Sequence, residues 1–553
     1  STWCMDRNSV LAFLLIAIII LLMPEYYKLV YPDLDQTDSS RVETSGETTS
    51  KKSAKPADDV VLINENIVED YSSFNIETNL YKATVNSKNG GSFTFFELNN
   101  YPLNDSSLVN LINNNNAENL EVSFRSMDGD KINLTSGWKT ENKFDVGVFT
   151  SPKKIDYYKT INNKRITKSL TFYPNKYVID IEIDLSGAND LISQNSASLY
   201  WPNGLPLTEP NKQDELTYYS AVIYQGDEKY APKTKDVGQQ KVERMLYPTD
   251  WAGVRTKYFF TAFIPTERAP GAEVLAIENG EEKSYSVGLL FNTLSPFQTV
   301  LYFGPLEYSR IKNLGNNVDQ IMNFGWAFIR PISKGVHWVL LFLYGFIPNY
   351  GYVLLLFSVL IKILVYPLTS KSLNSTRKMQ AIQPLLNELR EKHKNDQRKF
   401  AQAQMDLFKE HGVNPLSGCV PVLLQMPLLF ALFTVFRSSI ELRGAPFMLW
   451  IQDLSRPDIV FDLGFNIPLY GSGVAILPLL MGITMFVQMK SAPTGQGPGQ
   501  QKFMLYFMNG FFILIFNQFP SGLVLYYTLF NVLTIAQQKY LSSQQANAKL
   551  ATK

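Results

Sequence analysis

Lys362 is the residue of this 553-residue chain whose type and position most clearly suggest chemistry. It lies in an apolar run, residues 351–368, that is dominated by Val, Leu, Ile, Phe and Tyr. An isolated ammonium group at the centre of a membrane helix costs on the order of 3 kcal/mol or more, so it normally faces a partner or a polar cavity. The alternative is that the side chain reaches the nearer lipid headgroups, because Tyr366 and Pro367 predict a helix end one turn later.

Polar side chains also recur along this run and the later apolar runs. They are Ser358, Gln425, Thr434, Thr484, Gln488, Asn509, Asn517, Tyr526, Tyr527 and Asn531. If these groups converge inside a helix bundle, they can hold water within a bilayer and form a substrate groove together with Lys362. Hydrogen bonding between neighbouring helices, without a cavity, is the alternative.

The composition indicates neither catalysis nor nucleic-acid binding. The 51 Lys and Arg residues are balanced by 50 acidic residues, and the chain has only three histidines and two cysteines. No histidine lies between residues 31 and 330, which argues against a His-dependent triad or a His-rich metal site there. The chain has no glycine motif of the phosphate-binding kind. We therefore expect no enzymatic activity, no cofactor and no metal.

Long apolar runs predict an all-α bundle of six membrane spans. Residues 1–34 form an N-terminal anchor around the run 10–23, for which a cleaved signal peptide is the alternative. The core, residues 349–540, contains the runs 351–368, 418–436, 473–489, 503–519 and 521–536, and residues 541–553 form a C-terminal tail. Several runs span only about 23–28 Å as helices against a hydrocarbon core of about 30 Å, so the bundle should thin the bilayer.

The region between the anchor and the core is polar. Residues 35–59, rich in Ser, Thr, Lys and acidic residues, predict a disordered linker. Residues 60–320 show strand and turn signals without helix–strand alternation, which predicts a large antiparallel β-sandwich whose aromatic residues are core rather than a sugar platform. Residues 321–348 predict an amphipathic helix lying along the membrane interface, with an ordinary domain-linking helix as the alternative.

Loop charges predict the orientation. Nine Lys and Arg residues lie in the loop 370–415 and only two in the loop 438–472. The positive-inside rule therefore places 370–415 and both termini in the cytosol and residues 60–320 outside. Residues 371–411 predict a helical hairpin whose apolar stripes face each other. Its basic residues form either a solvated face or a partner surface, and the candidates are Arg377, Lys378, Arg390, Lys392, Lys394, Arg398 and Lys399.

Several motifs resemble the YidC/Oxa/Alb family of membrane protein insertases, in its Gram-negative YidC form. The resemblance runs from about residue 320 to residue 540, and the order of anchor, linker and β domain agrees with that form. The motifs are Tyr366-Pro367-Leu368-Thr369, Asn414-Pro415-Leu416-Ser417-Gly418-Cys419, Gln425-Met426-Pro427, Leu449-Trp450-Ile451-Gln452-Asp453-Leu454-Ser455, Met481-Gly482-Ile483-Thr484-Met485-Phe486 and Phe519-Pro520-Ser521-Gly522-Leu523-Val524-Leu525-Tyr526-Tyr527 with Asn531.

The resemblance implies a multi-pass protein of the bacterial inner membrane, with residues 60–320 in the periplasm, that inserts membrane proteins and helps them fold. In the family, five spans enclose a hydrophilic groove that is open to the cytosol and to lipid and closed outside. A basic residue on the first core span lines that groove, and Lys362 matches its position. Most bacterial members have Arg there, whereas Lys is a point charge that can lose its proton when desolvated.

The resemblance also implies partners. These are nascent membrane proteins, membrane lipids, the Sec translocon, the ribosome and the signal-recognition receptor, without direct binding of nucleic acid. Two other functions remain open from the residues. A secondary transporter or channel also needs polar residues in its spans, and a membrane-anchored protein could carry a carbohydrate-active outer domain.

Overall fold

The computed structural model describes residues 71–104, 106–142, 148–232, 240–279, 282–393, 396–412, 420–491 and 498–551. The predicted anchor, the predicted linker, residues 60–70 of the predicted β domain and Lys394 lie outside the described residues. The chain divides into two compact units, the first ending at Pro305 and the second beginning at Leu306.

The first unit is rich in β-strands, as predicted, and its strand pairings are antiparallel. The strands are β1 Ser73–Glu77, β2 Tyr81–Asn86, β3 Ser92–Asn104, β4 Ser107–Asn110, β5 Glu121–Ser126, β6 Lys131–Asn133, β7 Lys139–Thr140, β8 Lys153–Ile161, β9 Lys164–Phe172, β10 Val178–Asp184, β11 Ile192–Trp201, β12 Ser220–Gln225, β13 Glu228–Tyr230, β14 Gln240–Met245, β15 Thr249–Arg255, β16 Phe259–Pro265, β17 Gly271–Asn279, β18 Glu282–Asn292 and β19 Phe297–Pro305, with one short helix, α1 Lys212–Leu216.

These strands form three sheets. The largest has nine strands in the order β13-β12-β15-β16-β19-β10-β9-β8-β7, the second has six in the order β14-β17-β18-β11-β5-β6, and the third is β1-β2-β3-β4. Along β10, buried and half-buried residues alternate, because successive side chains of a strand point to opposite faces.

Aromatic side chains join the three sheets. The ring of Phe303, on β19, lies 4.9 Å from that of Trp201 on β11 and 5.7 Å from that of Phe93 on β3, measured between centroids. All three side chains are completely buried. The interpretation of these aromatic residues as core is therefore confirmed.

The second unit is mainly helical. Its helices are α2 Tyr308–Lys312, α3 Arg330–Tyr344, α4 Tyr350–Ala381, α5 Gln383–Lys392, α6 Gln397–Glu410, α7 Val420–Ser438, α8 Ile476–Ser491, α9 Pro498–Phe516 and α10 Ser521–Ala551, and two strands, β20 Ile459–Ile467 and β21 Gly471–Ala475, form a hairpin before α8. Within the described residues, only Tyr350–Pro367 of α4 is long and apolar enough to cross a membrane by length and composition. Ile476–Met489 and Tyr506–Phe516 are shorter apolar stretches.

The predicted helix end at Pro367 is wrong, because α4 continues without interruption to Ala381. A proline inside a helix removes the backbone hydrogen bond to the carbonyl four residues earlier, which here is that of Ile363. Here the Thr369 hydroxyl donates to the carbonyl of Val365 at 3.0 Å, and the Ser370 hydroxyl donates to that of Pro367 at 3.0 Å. These hydroxyl groups bond carbonyls next to the proline, and the helix continues through Pro367.

Two other element boundaries differ from prediction. Helix α3 begins at Arg330 rather than near residue 321, because Gly325 has a positive φ of 81° and Pro331 suits the first turn of a helix. Residues 473–475, predicted to open an apolar span, belong to strand β21.

The helices after α4 pack as expected for a hairpin. Met379, Ile382 and Leu386 are buried against Phe408 of α6 in a small apolar cluster.

Helix α10, near the end of the chain, packs against both α4 and α8, which makes α10 the central helix of the unit.

Candidate functional site

Lys362 lies on the buried face of α4 and only 8% of it is exposed. Its Nζ donates a hydrogen bond to the Thr534 hydroxyl of α10 at 2.7 Å. The same Nζ lies 4.4 Å from the centroid of the Phe530 ring, within cation–π distance. Both partners are neutral, and no described carboxylate forms an ion pair with Lys362. Among the described residues, the ammonium is therefore held inside the bundle by neutral groups alone.

The helical period explains why Lys362 points inward. Ser358 lies one turn earlier on the same face, is completely buried, and donates its hydroxyl hydrogen to the Leu354 carbonyl at 2.7 Å. On the other side of α4, Ile363 and Leu364 are each 69% exposed. The helix thus has an outer apolar face and an inner face on which the two polar residues follow each other.

Helix α10 connects Lys362 with a second polar contact. Asn531 lies one turn before Thr534 on α10, and its Nδ2 donates to the Thr484 hydroxyl of α8 at 3.3 Å. Tyr526 is completely buried on α10, with its ring 5.9 Å from that of Phe357 on α4. The predicted residues on α4, α8 and α10 are therefore brought together around α10.

Several predicted residues carry buried polar atoms that have no hydrogen-bond partner within the described ranges. They are Gln488 Oε1, Asn509 Oδ1 and the hydroxyl oxygens of Tyr526 and Tyr527. Buried polar atoms are nearly always paired with protein or water, so these atoms retain the capacity to bind water or a polar ligand. The interior around α10 can therefore bind water or polar groups as well as apolar ones.

The structure places the other predicted groove residues elsewhere. Thr434, on α7, lies beside Gly325, and its hydroxyl donates to the Phe430 carbonyl at 2.8 Å. Asn517 contacts the β20–β21 hairpin, where its Nδ2 donates to the carbonyls of Tyr470 and Gly473 and its Oδ1 accepts from Ala475 N. Gln425 is half-buried near the start of α7.

Of the predicted basic residues of the hairpin, the side chains of Arg377 and Lys394 lie outside the part of the chain that the structure describes. Lys378, Arg390, Lys392, Arg398 and Lys399 are exposed. Lys399 forms an ion pair with Asp396 at 3.4 Å, one turn before it. The other four provide positive charge on the surface of α4, α5 and α6.

Sequence reasoning missed the two residues that contact the Lys362 ammonium. Thr534 and Phe530 were not singled out, although Thr534 follows Tyr527 and Asn531 at helical spacing on one face of α10. Extending that stripe by one turn finds Thr534. Phe530 gives no signal, because a phenylalanine in an apolar run is ordinary.

The arrangement indicates a helical protein with a polar, positively charged interior, joined to a β-rich unit. In the part of the chain that the structure describes, no three His, Cys, Asp or Glu side chains are grouped as metal ligands would be. The family model described as "60Kd inner membrane protein" matches residues 342–548, and that described as "YidC periplasmic domain" matches residues 73–339.

Full-length relatives lead to the same family. The membrane protein insertase YidC of Chlorobium limicola is 35% identical over 98% of this chain and 95% of its own length. That of Chlorobium luteolum is 35% identical over 99% of this chain and 97% of its own. A crystal structure titled as an active YidC insertase with its first transmembrane domain resolved aligns over 86% of this chain and 93% of that one, at 16% identity and a TM-score of 0.36. Because of its similarity to these full-length relatives, the chain belongs to the YidC family of membrane protein insertases.

Proposed function

We propose that this protein inserts integral membrane proteins into the bacterial inner membrane and assists their folding, alone or with the Sec translocon, without catalysing a reaction. The observation that carries the proposal is the inward-facing Lys362, held by Thr534 among buried polar atoms of α8, α9 and α10. A cation retained in an apolar bundle implies a charged or polar client. Membership of the insertase family supports the same function.

The proposed topology has six spans, one from the N-terminal anchor and five from α4, α7, α8, α9 and α10. It places both termini and the hairpin 371–411 in the cytosol and residues 60–320 in the periplasm, on the distribution of loop charges. Helix α8 has 16 residues, or about 24 Å of helix, against a hydrocarbon core of about 30 Å. A bundle containing such a short helix thins the bilayer around it.

One end of the bundle is densely packed, which supports a groove closed on the outside. Phe436, Leu454, Leu523 and Val524 surround the start of α10 and are completely buried. A Cβ atom on Gly522 would lie 2.8 Å from the Phe436 ring, so no larger residue fits there without a shift. The polar residues Asn531 and Thr534 lie further along α10, toward the proposed cytosolic side.

In the proposed mechanism, a short acidic segment of a client enters the polar interior from the cytosol. Lys362 offers it a transient counter-charge, which lowers the cost of moving a carboxylate into a medium of low dielectric. The client's apolar segment then leaves sideways into lipid, favoured by about 25 cal/mol per Å² of apolar area removed from water. No nucleotide takes part.

The exposed basic surface of the hairpin is the proposed contact for cytosolic partners. Its four cations without a described acidic partner suit the acidic or phosphate-bearing surfaces of the ribosome, and the signal-recognition receptor and Sec translocon are further partners inferred from the family. These contacts are separate from Lys362, so removing them should change targeting rather than the insertion step.

The test uses the purified protein in liposomes with a single-span client that has an acidic tail. Lys362→Ala should slow insertion about tenfold or more, since a charge-assisted hydrogen bond contributes roughly 1.5–3 kcal/mol. Lys362→Arg should preserve insertion, and Lys539→Ala, an exposed lysine on α10, should have no effect. Equal insertion by Lys362→Ala and the unaltered chain would remove the counter-charge role.

A client with a neutral tail separates the counter-charge from general damage to the groove, because it should be inserted equally by the unaltered chain and Lys362→Ala. A secondary transporter or channel is not favoured, since the curated relatives described above are named as insertases. Flux of small solutes through the same liposomes, in the absence of insertion, would contradict the proposal.

A further inference from the structure

The hairpin of β20 and β21 exposes an unusual amount of apolar surface. Ile459, Val460, Phe461, Phe465 and Leu469 are each at least half exposed. A two-stranded hairpin is marginally stable in water, and soluble surfaces rarely gather so many large apolar side chains. Asp462 is the one residue between positions 459 and 475 that is charged at neutral pH. These apolar side chains therefore need contact with protein or lipid that the hairpin itself does not provide.

The base of the hairpin is fixed to the end of the helical bundle. Asp458 Oδ2, just before β20, accepts hydrogen bonds from the backbone N–H of Leu477 and from Trp450 Nε1, both at 2.8 Å. On the other strand, Asn517 bonds the backbone of Gly473 and Ala475. The base of the hairpin therefore lies at one end of the bundle, where α8 begins and α9 ends.

We propose that the β20–β21 hairpin lies in the headgroup layer of the outer leaflet, as a lipid-binding element of this protein. This inference rests on the membrane placement of the core proposed above. Strand β21 passes directly into the apolar helix α8, so the hairpin is continuous with a surface that faces lipid. Aromatic and aliphatic side chains beside a few polar backbone groups suit that layer, because headgroups and water can satisfy the backbone there.

The strands argue against a protein strand as the cover. The register of β20 against β21 shifts twice, between Ile459 and Phe461 and between Asp462 and Ile467. Irregularities of this kind interrupt the row of backbone groups that an added strand would need. The apolar side chains also extend from the base of the hairpin, at Ile459, to its connection, at Leu469, which suits a continuous medium better than a single groove.

The experiment uses the full chain with Cys4 and Cys419 replaced by Ser, reconstituted in phosphatidylethanolamine–phosphatidylglycerol liposomes. An environment-sensitive fluorophore is attached at Phe465→Cys or Leu469→Cys. Asp128→Cys, exposed on a turn of the β-rich unit, is the water control, and Ile363→Cys, exposed on α4, is the lipid control. Nitroxide lipids carry the quencher either near the headgroup or deep in the acyl chain.

Both hairpin labels should show blue-shifted emission relative to Asp128→Cys and stronger quenching by the shallow nitroxide than by the deep one. Emission like that of the water control at either hairpin site, with Ile363→Cys quenched by lipid, would overturn this inference alone. Blue-shifted emission without lipid quenching would mean that protein covers the hairpin, which also overturns it. Loss of lipid quenching at Ile363→Cys would instead contradict the membrane placement of the core.

Discussion

Lys362 meets a hydroxyl and an aromatic ring rather than a carboxylate. A buried carboxylate would neutralise the cation permanently and compete with any acidic client. The Thr534 hydroxyl and the Phe530 ring stabilise the ammonium with weaker interactions that an arriving carboxylate can replace. The neutral surroundings of Lys362 are therefore suited to transient pairing.

Thr534→Val tests how far this hydrogen bond stabilises the bundle. The change removes the acceptor for Lys362 Nζ while keeping the shape of the side chain, so it should lower the free energy of unfolding by about 1–3 kcal/mol. Thr528→Val is the matched control, because the Thr528 hydroxyl bonds the Val524 carbonyl one turn back, as the Thr534 hydroxyl bonds that of Phe530. Denaturation in detergent micelles measures the free energy of unfolding of both variants. An equal decrease in the two would contradict a special role for Thr534.

Lys168 is a second buried lysine, in the core of the β-rich unit and completely buried. Its Nζ donates to the carbonyls of Asn89 at 2.8 Å and Leu120 at 2.6 Å, two residues with positive φ angles. Burial lowers the pKa of Lys168 to about 7. Lys168 thus holds two turns of unusual backbone conformation together.

The shifted pKa predicts a pH dependence of stability. Between pH 7 and about 10, the unfolded chain binds a proton at Lys168 that the folded chain does not, so stability should rise with pH by up to about 1.4 kcal/mol per unit in that range. Lys168→Met should flatten the slope, whereas Lys82→Met, at an exposed lysine, should not. Denaturation of the β-rich unit between pH 7.5 and 9.5 measures the slope of its stability against pH. Equal slopes for the unaltered chain, Lys168→Met and Lys82→Met would show that Lys168 does not titrate in this way.

At the scale of elements, close contact between α8 and α9 depends on Gly482. A Cβ atom at this position would lie 2.5 Å from Ile513 Cδ1 of α9 and 3.4 Å from Asn509 Oδ1. Small residues let membrane helices approach each other closely. Gly482 therefore sets the separation at which α9 presents Asn509 to the interior.

Gly482→Val should push α9 away and destabilise the bundle by about 1–3 kcal/mol. Gly510→Val is the matched control, because Gly510 lies on α9 with nothing within 4 Å of its added Cβ atom. Thermal unfolding in detergent, followed by helical circular dichroism, compares the two variants. If Gly510→Val proved as harmful as Gly482→Val, loss of glycine alone, rather than overlap with Ile513, would explain the effect.

Particular elements show what the sequence could predict. The period-two pattern of residues 177–185 correctly predicted β10, because one face of that strand is buried. Pro367 was a misleading signal, since α4 continues through it to Ala381. The β20–β21 hairpin gave no clear alternation, because large apolar residues are exposed along its length. Lys362 was identified as a charge among apolar residues, but its partner on α10 depends on tertiary packing that the local pattern does not contain.

At the scale of the whole molecule, the chain consists of two units with separate cores. The apolar core that surrounds α4, α7 and α10 is built from residues after Leu306, from Ile329 to Phe530. Lys362, Thr534 and Asn531 also belong to the helical unit. The proposed insertion machinery is thus contained in the second unit.

Deleting residues 71–305 should therefore leave insertion of an acidic-tailed client close to that of the full chain in liposomes. The physical reason is that every contact of Lys362 described above lies within α4 and α10, which the deletion does not touch. Lys362→Ala in the shortened chain is the control and should slow insertion as it does in the full chain. If the shortened chain keeps its helical circular dichroism but loses insertion, the β-rich unit takes part in the transport step, and the proposed role of the helical unit must be extended to it. A carbohydrate-active outer domain predicts another pattern, in which the deletion abolishes glycan binding and the full chain inserts no client.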